Sequence, residues 1–274
     1  MSKLDTAGIQ RPLSENTKSK LERLELFSSI ASTNTHLLSQ RAPASGRFCV
    51  ALADHQTSGR GRHYRRWLSP RGSGLYLSLA FTFASMPKDL PALTLALGVG
   101  AADALSGLGV AGVSLKWPND LVADDGKLGG ILTEVQSGGR DSVTVVAGLG
   151  LNLHHAGRVD LGAGSGWANR AVALEDLVDE VPPRDLLAGT MIEVLFRTMA
   201  RFESHGFADF TADWQRFDWL RGREVTVEMP DKRVTGIAAG VDVDGALIVD
   251  TGAMQQRVVS GSIVAAGRPA GGLQ

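Results

Sequence analysis

Residues 75–83 read LYLSLAFTF, an alternation that puts Leu75, Leu77, Leu79, Phe81 and Phe83 on one face. Successive side chains of an extended chain point to opposite sides, so a period of two marks a strand with one apolar face. The pattern predicts a half-buried strand. Just upstream, FCVALAD (48–54) predicts a buried strand that ends at a polar loop. Downstream, PALTLALGVGAADALSGLGVAGVSL (91–115) is long and apolar enough to resemble a membrane span. Its glycines, Asp103 and its passage into the polar KWPND instead predict a buried helix and a following strand. VSLKW (113–117), GILTEV (130–135) and VTVVAGLGLNL (143–153) are further strand-like runs bounded by Gly, Asp and Asn.

Helical signals are interleaved with these strands. SSIASTNTHLLSQRA (28–42) opens with hydroxyl and amide residues before a short apolar run, which places a helix start at Ser32 or Thr33. After Pro182, residues Ile192, Leu195, Phe196, Met199 and Phe202 fall at three- and four-residue spacing, with Gly206 beyond the end. That is a helix packed on a sheet. Trp214, Phe217 and Trp219 follow as aromatics of the core or of a junction between domains. Residues 155–180 carry little signal.

From Arg221 onward the texture changes to short strands, EVTVEM, RVTGIAAGVDV, ALIVD and RVVSGSIVAA, joined by turn signals such as DVDG. They predict a small C-terminal barrel. The expected organisation is a flexible tail at 1–20, an α/β (α+β) catalytic domain at 21–220, the barrel at 221–267 and a tail at 268–274.

The net charge of −1 excludes a general polyanion binder, so basic runs belong to particular sites. The single cysteine, Cys49, excludes a disulfide framework and a four-thiolate zinc site, and its apolar surroundings predict a buried strand thiol. MSKLDTAGIQRPLSENTKSK (1–20) lacks an apolar signal core and a cleavage site, which predicts a cytoplasmic protein.

Three stretches concentrate chemistry: STN at 32–34, DHQTSGRGRHYRRW at 54–67 and KWPNDLVADDGKLGGILTEV at 116–135. Familiar templates fail on each. A dinucleotide fingerprint needs a glycine where Tyr64 stands, and a P-loop needs Ser or Thr where Leu128 follows Gly126-Lys127. No Gly-x-Ser-x-Gly elbow is present. The adjacent His154 and His155 lack zinc-motif spacing and read as loop residues. What remains is a glycine-rich arginine loop with lysines near tight turns. Glycines let backbone N–H groups approach an oxyanion and guanidinium forks grip it, although a merely solvated charge cluster has the same composition.

STNT, DHQTSGRGR, RRWLSPRGSGLYLSLAF, KWPNDL, KLGGILTE and GLGLNL occur in this order, and together they closely resemble the bacterial biotin protein ligases. The likeness covers roughly residues 26 to 266, including the C-terminal barrel. It implies a class II synthetase-like mixed-sheet catalytic domain followed by a small SH3-like barrel. It also implies a two-step reaction. Biotin and Mg-ATP are substrates that give biotinyl-5′-AMP and pyrophosphate, with no tightly bound cofactor. A lysine of a biotin carboxyl carrier protein domain then displaces AMP. About twenty-five polar residues precede the motifs, too few for the helix-turn-helix that some relatives carry. A short form acting on no DNA and no membrane is therefore expected, and the resemblance leaves a homodimer open.

Roles follow by matching residues. The resemblance implies that Ser32, Thr33, Asn34 and Gln56 bind the uncharged ureido end of biotin, and that Arg60, Gly61 and Arg62 hold its carboxyl end and the adenylate phosphate. Lys127 falls at the family's catalytic lysine, with Arg62 beside it. Lys116, Asn119 and Asn152 are implied in adenylate binding, Asp120 in magnesium contact, and Trp67 in adenine packing. Gly129 and Gly130 are expected to let the chain pass close to biotin's rings. The family's usual glycine is replaced by Tyr64, a residue that resists positive φ, so the loop's closed shape is in question. Like charges and glycines predict a loop that is mobile until an adenylate orders it. Two rival readings stand beside this one: lipoate or octanoate transfer, and a biotin-responsive DNA-binding regulator.

Overall fold

The computed structural model describes residues 4–136, 142–155 and 170–269. It begins with two short helices, α1 (Thr6–Gln10) and α2 (Glu15–Lys20). Asp5 caps the first by accepting from Gly8 N, and Ser14 caps the second by accepting from Thr17 N. Ile9 and Leu13 are buried beneath them. The expectation of a flexible tail at 1–20 is therefore corrected for Leu4–Lys20. Burial of Leu4, Ile9 and Leu13 helps hold the segment down, each full burial contributing about 1.5–3 kcal/mol.

The chain then enters β1 (Leu21–Phe27), α3 (Thr33–Ser39), β2 (Phe48–Ala53), β3 (Gly74–Phe83) and α4 (Leu93–Gly107). Four strands follow: β4 (Ser114–Lys116), β5 (Asp120–Ala123), β6 (Gly126–Gln136) and β7 (Val143–Asn152). They form a seven-stranded sheet in the order β1-β2-β3-β7-β6-β5-β4. Only β1 and β2 pair in parallel; the other pairs are antiparallel. The sheet is mixed, as the resemblance implied.

Two helices complete the domain, α5 (Arg184–His205) and α6 (Thr211–Phe217). Gly206 ends α5 with φ 67°, a conformation open to glycine. Leu75, Leu77, Leu79, Phe81 and Phe83 join α4 and α5 residues in the main core. On the opposite face Leu37 of α3 packs with Cys49, Ala51, Ala80 and Val146. β3 is thus buried along its whole length, which corrects the half-buried expectation. Ser78 bonds to Asn34 of α3, Tyr76 to Pro70 O in the loop that follows β2, and Thr82 to Pro43 O in the segment before β2. Among the described residues, the one segment long and apolar enough to cross a membrane, Leu90–Gly107, carries the buried core helix α4.

Beyond Leu220 come β8 (Arg223–Glu228), β9 (Arg233–Val241), β10 (Leu247–Asp250), β11 (Gln255–Val258) and β12 (Ser262–Pro269). They make a separate antiparallel sheet ordered β11-β10-β9-β8-β12, the SH3-like unit. The run RVVSGSIVAA, read as one strand, is two strands broken at Ser260-Gly261. This unit is tied to the larger domain through buried Trp117, whose Nε1 donates to Gly245 O at 3.1 Å. Arg62 Nη1 of the larger domain also donates to Gly261 O of this unit at 3.3 Å.

Candidate functional site

A cavity of about 1180 Å³ opens on the α3 face of the large sheet. Its floor follows from register. Tyr76, Gly150, Gly130 and Asp120 lie side by side on β3, β7, β6 and β5, and Ser78, Gly148 and Leu132 form the adjoining row. Three of these seven positions are glycine, so bare backbone is exposed in the middle of the floor, between Tyr76 and Ser78 on one side and Asp120 and Leu132 on the other. The opposite face of the same strands carries the leucines of the core, because side chains alternate along a strand.

One end of the cavity is polar without net charge. Ser32 caps α3, its Oγ accepting from Thr35 N, so the helix start fixes Thr33 and Asn34 at the floor. Gln56 Oε1 accepts from Thr33 N at 2.9 Å and from Thr33 Oγ1 at 3.2 Å, while its Nε2 donates to Ser69 Oγ at 2.9 Å. Asn34 Oδ1 accepts from Ser78 Oγ, and Gly148 leaves the room Asn34 occupies. Such donors and acceptors suit an uncharged ring with several hydrogen-bonding groups.

The other end is cationic. Asp120 Oδ1 lies 2.6 Å from Lys127 Nζ and Oδ2 lies 3.2 Å from Lys116 Nζ. Burial pushes the Asp120 carboxyl up, but the two ammonium groups override it and hold it below the usual range, so it stays ionised. Burial lowers the Lys116 pKa, with Asp120 opposing. Lys127 Nζ also stands 5.5 Å from the centre of the Trp67 ring. The Trp67 ring lies close against Gly150, and its buried Nε1 has no hydrogen-bond partner among the described residues. Asp120 does not fit the magnesium role implied by the resemblance: both its oxygens already face ammonium groups, which a divalent cation would have to displace. No group of three or more His, Cys, Asp or Glu suited to a metal occurs among the described residues.

The basic loop folds back on itself. Trp67 N donates to Gly59 O at 3.0 Å and Gly61 N to Arg65 O at 2.8 Å. Arg60 Nη2 lies 2.8 Å from Glu134 Oε1, and Arg62 Nη1 donates to Gly261 O of the C-terminal unit at 3.3 Å. Burial lowers the Arg62 pKa, with Asp120 opposing. His63 and Tyr64 adopt φ of 52° and 59°, left-handed values that cost a non-glycine residue about 1–2 kcal/mol each. Tyr64 therefore takes the backbone shape of a glycine, and its side chain stands fully exposed.

The cavity brings together all but one of the residues singled out from the sequence. Gly129 is the exception: it does not line the cavity but faces β7, where an added Cβ would come within 2.7 Å of Gly150 O. Asn152 lines the wall, but its Nδ2 donates to Lys127 O and Val172 O, so it holds the backbone that carries Lys127. His154 and His155 sit at the rim, paired with Glu175 and Asp176. Sequence reasoning missed Ser78, Gly148, Gly150 and Ser262–Val264, which also line it. The glycine alternation within GLGLNL was the one signal for Gly148 and Gly150.

Comparison with known proteins agrees with this geometry. The biotin/lipoate A/B protein ligase family matches residues 26–152, and the biotin protein ligase C-terminal domain matches residues 221–265. The chain is 33% identical to the biotin–[acetyl-CoA-carboxylase] ligase of Mycobacterium tuberculosis, over 88% of each chain. It is 35% identical to the bifunctional ligase/repressor BirA of Escherichia coli, over 81% of this chain and 67% of that protein. Among solved structures, the biotin protein ligase of Aquifex aeolicus in complex with biotin and ATP superposes with a TM-score of 0.74 at 26% identity, covering 88% of this chain and 97% of that one. Fold and cavity thus define a protein ligase of the biotin/lipoate class. Within that class, the chain belongs to the biotin protein ligases.

Proposed function

We propose that the protein activates biotin with ATP to biotinyl-5′-AMP and transfers the biotinyl group to a lysine of a biotin carboxyl carrier domain. The observation that carries this reading is the cavity's polarity: one uncharged hydrogen-bonding end and one cationic end meet over a glycine floor. The ureido ring of biotin seats against Ser32, Thr33, Asn34 and Gln56, with Gly130 beneath it. Its carboxylate points toward Arg60, Gly61, Arg62 and Lys127. Attack of a carboxylate oxygen on the α-phosphorus of ATP forms the mixed anhydride and expels pyrophosphate. Lys127 and Arg62 stabilise charge on the phosphorus oxygens as they develop it. Lys116, Asn119 and the wall at Asn152 border the adenylate, and Trp67 offers an aromatic face to the purine.

In the second step the acceptor lysine's neutral amine attacks the biotinyl carbonyl, AMP leaves, and the amine's proton is lost. Asp120 places Lys116 and Lys127, one on each of its oxygens. Magnesium enters as part of the nucleotide substrate. The acceptor in this reading belongs to acetyl-CoA carboxylase, the substrate named for the mycobacterial relative. A cytoplasmic protein that binds neither DNA nor membrane fits the near-neutral charge. Pyrophosphate release that requires both biotin and ATP tests the reading. Release with lipoate in place of biotin, or none with either acid, would overturn it.

A further inference from the structure

Glu134 does not line the cavity, yet its carboxylate joins the cavity's two ends. Oε1 meets Arg60 Nη2 of the basic loop at 2.8 Å, and Oε2 accepts from Asn34 Nδ2 of the α3 turn at 3.0 Å. From Asn34 the connection continues through Ser78 Oγ to Thr33 Oγ1, and from Thr33 to Gln56. A continuous set of side-chain contacts therefore runs from the uncharged end of the site to the first arginine of the loop.

We propose that Glu134 is a positioning residue that couples the two ends: a ligand seated against Thr33 and Asn34 fixes Glu134, and Glu134 holds Arg60 aimed at the ligand's carboxylate. An ion pair with a partly exposed arginine holds that side chain weakly by itself, because ordering a long flexible side chain offsets the attraction. Here the carboxylate is already immobilised by Asn34, so Arg60 alone has to be ordered. The guanidinium carries five N–H donors and the Glu134 contact occupies one nitrogen, leaving others for a substrate oxygen. Glu134 stays outside the cavity and acts only through Arg60.

The inference rests on the biotin reading above, and the experiment separates the two. Binding of biotin and of biotin amide, which lacks the carboxylate, is measured by calorimetry on the wild-type protein, Glu134→Gln, Arg60→Gln and the double variant. Steady-state pyrophosphate release is measured alongside. Failure of the wild type to bind biotin would overturn the functional reading itself. With binding established, Glu134→Gln is expected to weaken biotin about tenfold, the scale of a typical coupling between sites. KM for biotin should rise equally while kcat changes less than about twofold. The double variant should bind no worse than Arg60→Gln, and biotin amide should bind all four proteins alike. Equal losses for acid and amide, or additive losses in the double variant, would overturn the coupling. Should Glu134→Gln not fold, Arg60→Gln and Asn34→Ala read the same connection from its ends; sub-additive losses in biotin affinity support it and additive losses overturn it.

Discussion

The indole of Trp67 rests on Gly150 so closely that a Cβ at that position would stand 2.5 Å from Trp67 Cε2. Strand and tryptophan therefore fit together only because the strand presents bare backbone there. Gly150→Ala is expected to lift or rotate the indole, with an overpacking cost of about 1–3 kcal/mol. KM for ATP should rise about tenfold while biotin binding changes little. Kinetics with each substrate varied in turn checks this, and an unchanged KM for ATP would remove Trp67 from the nucleotide end.

Lys127→Gln is expected to slow adenylate formation about 100-fold, the scale of losing one charge-stabilising donor, while biotin still binds. Single-turnover formation of biotinyl-AMP is the measurement. A normal rate would show that Lys127 serves only to neutralise Asp120.

Arg62→Ala removes a guanidinium that reaches across to Gly261 O. Biotinyl-AMP is expected to escape into solution and label bystander lysines. Labelling of an added inert protein reports the leak; tight retention with only a weaker carrier KM would count against the loop as a cover.

Hydrogen exchange should divide the loop. Thr57, Ser58 and Trp67 amides at its base donate to Ile30 O, Ala31 O and Gly59 O, and are expected to be slow in the free protein. The tip around His63 and Tyr64 should be fast and gain protection only when biotin and ATP are both present. Ordering each residue of the tip costs about 1–2 kcal/mol, which charge-assisted contacts to the ligand must offset together. Full protection of the tip before ligand is added would end the account of a loop ordered by its substrate.

Asp218 gives a pH dependence of opposite sign to that of an ordinary carboxylate. Burial pushes its pKa up to about 6, against the Leu220 N–H that its Oδ1 accepts from. The folded state thus prefers the protonated form. The associated stability is present below the unfolded carboxylate range and is lost as pH rises through about 6. A shift of about two units corresponds to about 3 kcal/mol. Asp218→Asn is expected to melt higher than the wild type at pH 8, with the gap closing near pH 4. Parallel melting curves at both pH values would show that the carboxyl is not buried in solution.

Much of the fold was legible because its strands and long helices carry strong apolar periodicity: β3, α4 and α5 all lie where their patterns put them. β1 escaped because LERLELF mixes charges among its leucines. It is an edge strand, and its Glu22 and Glu25 pair with Arg47 and His36. The N-terminal helices are too short for a period to show. Their burial depends on Gly189 of α5, where a side chain would collide with Ile9 O and Pro12. In the site, motif order brought out the arginines, lysines and the STN turn. Ser78 and Glu134 stayed hidden because their contacts arise from cross-strand register, which no local pattern records.

A floor of Gly130, Gly148 and Gly150 also limits how this site can be altered. Acceptance of bulkier substrate analogues is usually engineered by trimming a side chain that blocks them. Along these rows the glycines have no side chain left to cut, and moving the backbone would disturb the leucines packed on its other side. Any redesign toward larger rings has to work from the side chains around these glycines, at Leu132, Trp67 or the arginine loop.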